Sequence, residues 1–165
     1  MKVTDKTKFI TQAALIAALY VVLTFIANAL GLANYAVQVR FSEALTILPV
    51  FTPAAIPGLF IGCIIANTLT GCMVLDIVFG SIATLIGAIL TYTLKKHRWL
   101  APVPPVLSNT IIVPFVLRYV YKVPGSIPYF ALTIGAGEII SCGVLGILLL
   151  HTILSNKTLS AYFTD

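Results

Sequence analysis

The chain has 165 residues, of which 59% are hydrophobic and only 9% charged, against about 25% charged in an ordinary globular domain. Ten basic and five acidic side chains cannot cover the surface that a soluble domain of this size exposes. With a mean hydropathy of +1.06, this excludes a soluble enzyme, a disordered tail and a nucleic-acid-binding domain, and implies an integral membrane protein. The net charge of +5 is no nucleic-acid footprint, because basic residues beside membrane spans set orientation. Cys63, Cys72 and Cys142 lack ligand spacing, so neither a disulfide framework nor a metal centre is expected.

Crossing the hydrocarbon core takes about 20 apolar residues in a helix, with a working range of about 17–25. The chain is expected to form a single transmembrane domain over 1–165, with helices at 9–32, 37–52, 54–71, 73–94, 99–121 and 129–154. The first carries Ala14 and Ala18 one turn apart, a spacing that lets another helix approach closely. Ala27-Asn28-Ala29 faintly resembles a signal-peptide cleavage site, but the apolar run exceeds the usual signal core of about 7–15 residues. It is expected to remain as a helix.

The second and third stretches are short, and Pro49, Pro53 and Pro57 interrupt them. Proline inside a helix removes a hydrogen bond and kinks or ends it, so this region holds one crossing or two. Arg40, Glu43 and Thr46 are spaced by three, which places them on one helix face; an intrahelical Arg40–Glu43 ion pair is one outcome of that spacing. Asn67 ends the third helix. Asp76 begins the fourth, where a carboxylate can cap free N–H groups or face a ligand. Arg118 and Lys122 close the fifth. Glu138 lies about nine residues into the sixth, roughly 14 Å deep.

Charge decides the count. Lys2, Lys6 and Lys8 place the N-terminus in the cytoplasm, and Lys95-Lys96-His97-Arg98 should lie there too by the positive-inside rule. An even number of crossings must separate them, so both short stretches cross. The expected fold is an all-α six-helix membrane bundle with both termini cytoplasmic. Every embedded charge then falls in its outer half. An ionisable side chain at the bilayer centre costs at least ~2.5–3.5 kcal/mol and is a functional candidate by default. Together these groups describe a polar cavity open outside and closed below, with Glu138 the deepest acid and no charged neighbour in sequence.

Familiar chemistries are missing. No G-x-x-x-x-G-K-[ST] loop is present, so the chain cannot use ATP by itself. His97 and His151 lie near the cytoplasmic ends, far from the acids, and no Ser–His–Asp set can be assembled. Neither an enzyme nor a cofactor is expected.

The run RFSEALTILPVFTPAAIPGLFIGCIIAN (Arg40–Asn67) and LDIVFGSIATLIGA (Leu75–Ala88) resembles the QueT family. AALIAALYVVLT (Ala13–Thr24), PPVLSNTIIVPFVL (Pro104–Leu117) and GEIISCGVLG (Gly137–Gly146) are similar to other parts of it, in order along nearly the whole chain. These are substrate-binding S components of energy-coupling factor (ECF) transporters assigned to queuosine precursors. The resemblance implies a six-helix S component in the plasma membrane that binds solute from outside. It also implies a transmembrane coupling (T) component and two cytoplasmic ATPases as partners, met through the Ala14 and Ala18 face.

Chemistry then gives the acids a purpose. A deazaguanine base presents a ring N–H beside an exocyclic amino group, two donors that match the two oxygens of one carboxylate. Glu138 is expected to make this contact, with Asp76 or Glu43 as second carboxylate, a cationic aminomethyl group being one target. Arg40 and Asn67 complete the polar set, and Tyr35, Phe41, Tyr129 or Phe130 could stack on the base, with the loop 33–38 as a lid. Two alternatives stay open: an S component for another small vitamin-like solute, and an autonomous proton-coupled transporter using Glu138.

Overall fold

Helix α1, Val3–Ala29, runs 27 residues without a proline or glycine. It ends where Gly31 takes a φ of 73°, with Leu32 N–H on Ala27 O at 3.0 Å and Gly31 N–H on Asn28 O at 2.9 Å. This is a Schellman cap, which needs a left-handed residue after the last turn. The structure, a computed structural model, describes residues 3–32 and 38–164.

Arg40 is extended, and a 3₁₀ helix follows over Phe41–Val50. It runs back along α1: Thr24 Oγ1 bonds Ser42 Oγ at 2.9 Å, and Thr52 Oγ1 bonds Gln12 Oε1 at 2.8 Å. A 3₁₀ helix rises about 2.0 Å per residue against about 1.5 Å in an α-helix. Its 10 residues therefore reach about 20 Å, close to the roughly 18 Å between Gln12 and Thr24 on α1. Such helices seldom exceed a few residues; burial of every residue from Ser42 to Val50 holds this one. The expected second helix, 37–52, is thus a shorter and tighter element.

Helix α2, Ala55–Leu69, reverses again to run parallel to α1, with Gly58 against Ala13 and Ile16 and Gly62 against Ala17 and Tyr20. It ends on a second Schellman cap at Gly71, φ 77°. Helix α3, Val74–Thr93, returns antiparallel, pairing Thr84 with Cys63. Its N-cap is Met73, with no side-chain capping bond; Asp76 does not cap it. After a turn of 3₁₀ at Arg98–Leu100, helix α4, Val103–Phe115, passes into a π-helical turn at Val116–Val120. Helix α5, Ile127–Glu138, starts on Ser126, whose Oγ accepts from Tyr129 N–H, a regular N-cap. It continues through a π-helical stretch, Ile139–Leu145, into α6, Gly146–Ser155. Helix α7, Lys157–Thr164, folds back on the bundle with Phe163 against the core.

These reversals bring one end of the bundle together. Gln12 meets Thr52 and the Tyr162 carbonyl, and the Arg98 guanidinium lies 5.1 Å from the Phe51 ring centroid. The start of α1, the 95–98 basic cluster and α7 therefore share an end.

The 3₁₀ leg forms the axis of the molecule, with Ile47 and Leu48 packed among Ile16, Tyr20, Leu59, Leu150 and Ile153. Large apolar side chains face outward instead, Leu132 at 75% and Val74 at 74% exposure, while Glu43, Asn67, Asn109 and Glu138 are buried. Only an apolar solvent makes that arrangement favourable. Among the described residues, four helices are long and apolar enough to cross a membrane: Asp5–Ala29, Val74–Thr93, Arg98–Val120 and Ile127–Ser155. The 3₁₀ leg and α2 are shorter.

Candidate binding site

Halfway along the bundle, polar groups from five elements meet in one layer. Tyr20 on α1 donates its hydroxyl to Glu43 Oε1 at 2.5 Å. Glu43 Oε2 is buried with no hydrogen-bond partner, so of the outcomes the spacing left open, the ion pair with Arg40 is not the one that forms. From α4, Asn109 Nδ2 donates to Glu138 Oε1 at 2.9 Å. Cys142 Sγ, one turn beyond Glu138, donates to its Oε2 at 3.1 Å. Both Glu138 oxygens thus have donors from the chain itself.

The 3₁₀ geometry fixes Glu43, since residues three apart eclipse on such a helix. Thr46 Oγ1, one turn on, donates to Glu43 O at 2.6 Å. Glu138 closes the last α-helical turn before the π-helical stretch, a distortion frequent at functional sites. The extended segment entering the 3₁₀ leg crosses directly over Gly137, where a Cβ would overlap the Gln38 carbonyl oxygen. Only glycine allows that approach. It lets Arg40 N–H reach Ser141 Oγ at 3.0 Å and holds Arg40 at the cavity wall.

Two adjacent chambers with shared walls result. The inner one, about 30 Å³, is bordered by Arg40, Glu43, Asp76, Asn109 and Glu138, with Cys63 and Thr84. The outer one, about 520 Å³, is lined by Asn67, Asp76, Arg40, Tyr121, Thr24 and Asn28, among others. Gln38, Arg40, Asp76 and Val113 belong to both. An outer chamber of this size fits the range of about 300–1,000 Å³ usual for small-molecule sites. The inner one has room for a single small polar group.

Tyr121 donates to Asp76 Oδ2 at 2.8 Å and accepts from Met73 N–H at 3.2 Å. Burial, together with the Asp76 carboxylate, pushes the Tyr121 phenol above its ordinary pKa. It stays a neutral donor that ties the π-helical end of α4 to the start of α3.

Of the residues singled out from sequence, Arg40, Glu43, Asp76 and Glu138 share the inner chamber and Asn67 joins at the outer. Phe41, half-buried, lines neither. Tyr35 and most of the lid loop lie outside the described residues. Ala14 and Ala18 are exposed on α1, whereas Ala13 and Ala17 face Gly58 and Gly62. Sequence reasoning missed Tyr20, Asn109, Tyr121 and the thiol donor Cys142. Asn109 was findable, since an amide inside an apolar stretch seeks a partner on another helix. A carboxylate oxygen of Glu43, one of Glu138 and Cys142 Sγ lie within 4.8 Å of one another, a spacing suited to a small cation. The thiol, however, acts as a hydrogen-bond donor there rather than as a ligand.

A family model described as QueT transporter matches residues 10–155. The chain belongs to the QueT transporter family. No curated protein and no solved structure matches it. The QueT family is one of transporters, not enzymes, and a buried, membrane-embedded polar cavity without a nucleophile–base pair suits that role.

Proposed function

We propose that this QueT-family chain is the substrate-binding S component of an ECF importer. It captures a queuosine precursor, a deazaguanine derivative, from outside, and a T component with two cytoplasmic ATPases drives its release inward. The observation that carries this reading is the pair of chambers lined by Glu43, Asp76 and Glu138, away from the end that bears the 95–98 basic cluster. The 3₁₀ leg and α2 both cross, which makes six crossings of the plasma membrane with both termini cytoplasmic.

The base lies in the outer chamber, its N–H edge toward Asp76, with Asn67 and Arg40 beside it. Tyr121 takes the stacking role that Phe41 is not placed to fill. Glu43 and Glu138 receive what projects inward. Ala14 and Ala18, left uncovered on α1, meet the T component.

The test is reconstitution in proteoliposomes. The solitary chain should bind the precursor yet accumulate none under a pH gradient, and adding the T component, ATPases and ATP should start uptake. Accumulation by the solitary chain would overturn the reading, as would mass spectrometry that finds an unrelated small molecule copurifying.

A further inference from the structure

Glu43 and Glu138 sit side by side but are finished differently. Glu138 has a donor on each oxygen, Asn109 on one and Cys142 on the other. Glu43 has Tyr20 on Oε1 and nothing on Oε2, although the residue is only 2% exposed and borders the inner chamber. A buried acceptor without a donor is costly. The residue borders a space of about 30 Å³, enough for one small group.

We infer that this chamber binds a protonated primary amine of the solute between Glu43 and Glu138, with Tyr20 positioning Glu43. This rests on the proposed solute-binding role and narrows the solute to an amine-bearing one. Charge-assisted N–H···O bonds are about 2.7–2.9 Å long, so one nitrogen bridges carboxylate oxygens up to roughly 5.6 Å apart. One oxygen of Glu43 and one of Glu138 lie within 4.8 Å of each other. Each Glu138 oxygen keeps a second lone pair free to accept. Thr84 Oγ1 spends its own proton on Gly80 O or Cys63 and is left as an acceptor on the same wall.

Charge agrees with this assignment. Glu43, Asp76 and Glu138 face the chamber against Arg40, so its wall has acids in excess. A neutral nitrile presents only an acceptor and leaves Glu43 Oε2 unsatisfied. By holding Oε1, Tyr20 fixes the Glu43 carboxylate at the chamber wall.

Calorimetry on the purified chain should compare aminomethyl- and cyano-deazaguanine. The amine should bind about tenfold to a hundredfold more tightly, the scale of a hydrogen bond to a charged group. Glu43→Gln should erase that preference by weakening amine binding. Tyr20→Phe, which keeps the ring in the core, should reduce the preference by lowering only the amine's affinity. Equal affinities in the parent, or a Glu43→Gln loss shared by both ligands, would overturn the inference. A second arm uses thermal unfolding with methylammonium, tetramethylammonium and potassium chlorides at equal ionic strength. Methylammonium alone should raise the midpoint, and only when Glu43 is intact. Equal protection by potassium makes this a bare-cation site and overturns the amine assignment. If methylammonium protects through Glu43 but neither deazaguanine binds, the proposed substrate is wrong and the amine site stands. If both deazaguanines bind alike and methylammonium does nothing, the substrate stands and the amine site falls.

Discussion

The hydrogen-bond donors around Glu138 explain how a carboxyl group is kept in the middle of a membrane protein. Asn109 and Cys142 donate to its two oxygens. Glu138→Gln therefore presents an NH₂ group where the chain supplies a donor. We expect it to weaken solute binding by about 1.5–3 kcal/mol, the scale of a hydrogen bond to a charged group. It should also lower stability in reversible SDS unfolding; parent-like values in both measurements would remove Glu138 from the site. Gly137, one residue earlier, tests the neighbouring backbone. In Gly137→Ala the new Cβ meets the Gln38 carbonyl, and overpacking of this kind costs about 1–3 kcal/mol. Because Gln38 and Arg40 belong to one extended segment, that variant should lose affinity together with stability.

Among the elements, α1 separates two small-residue faces that share a spacing. Ala13 and Ala17 receive Gly58 and Gly62 of α2, while Ala14 and Ala18 lie exposed one position around. Ala14→Trp or Ala18→Trp should abolish uptake by the assembled transporter and leave solute binding by the solitary chain unchanged. Ala17→Trp should instead prevent folding. Loss of binding in the Ala14 or Ala18 variant would show that this face does not meet a partner. The sequence shows that four small residues recur on α1 but not which pair is covered, because that depends on the rotation of α2 about its axis. The same limit governs the site. Arg40, Glu43, Asp76 and Glu138 were legible because a charge in an apolar run is expensive wherever it packs. Tyr20 and Tyr121 were not, since a tyrosine in such a run reads as an apolar ring until its hydroxyl partner is known. The 3₁₀ leg was also hidden. Its length is set by matching Thr24–Ser42 at one end and Gln12–Thr52 at the other, contacts between segments far apart in sequence.

For the whole molecule, the direction of each leg follows from paired contacts rather than from hydropathy. Thr24–Ser42 and Gln12–Thr52 run the 3₁₀ leg against α1. Gly58 and Gly62 run α2 along α1, and Cys63–Thr84 with Asn67 beside Gly80 reverses α3. Four alternating legs thus separate the start of α1 from residues 95–98, the even number that the lysine and arginine bias requires. Cys72 follows α2 and lines the outer chamber, toward the opposite end. It is only partly buried, whereas Cys63 and Cys142 are buried. Cys72 is therefore the native thiol best placed to react, and it provides an internal reference for orientation. An impermeant maleimide added to intact cells should label Cys72 in the parent. In a Cys72→Ser, His97→Cys variant the same reagent should label nothing until the cells are permeabilised. This variant keeps Cys142, so the donor to Glu138 Oε2 is undisturbed. Labelling of position 97 from outside, with Cys72 silent in the parent, would invert the molecule and turn the acid-lined chambers toward the cytoplasm. Labelling of both from outside would mean that α3, the one leg between them, does not cross.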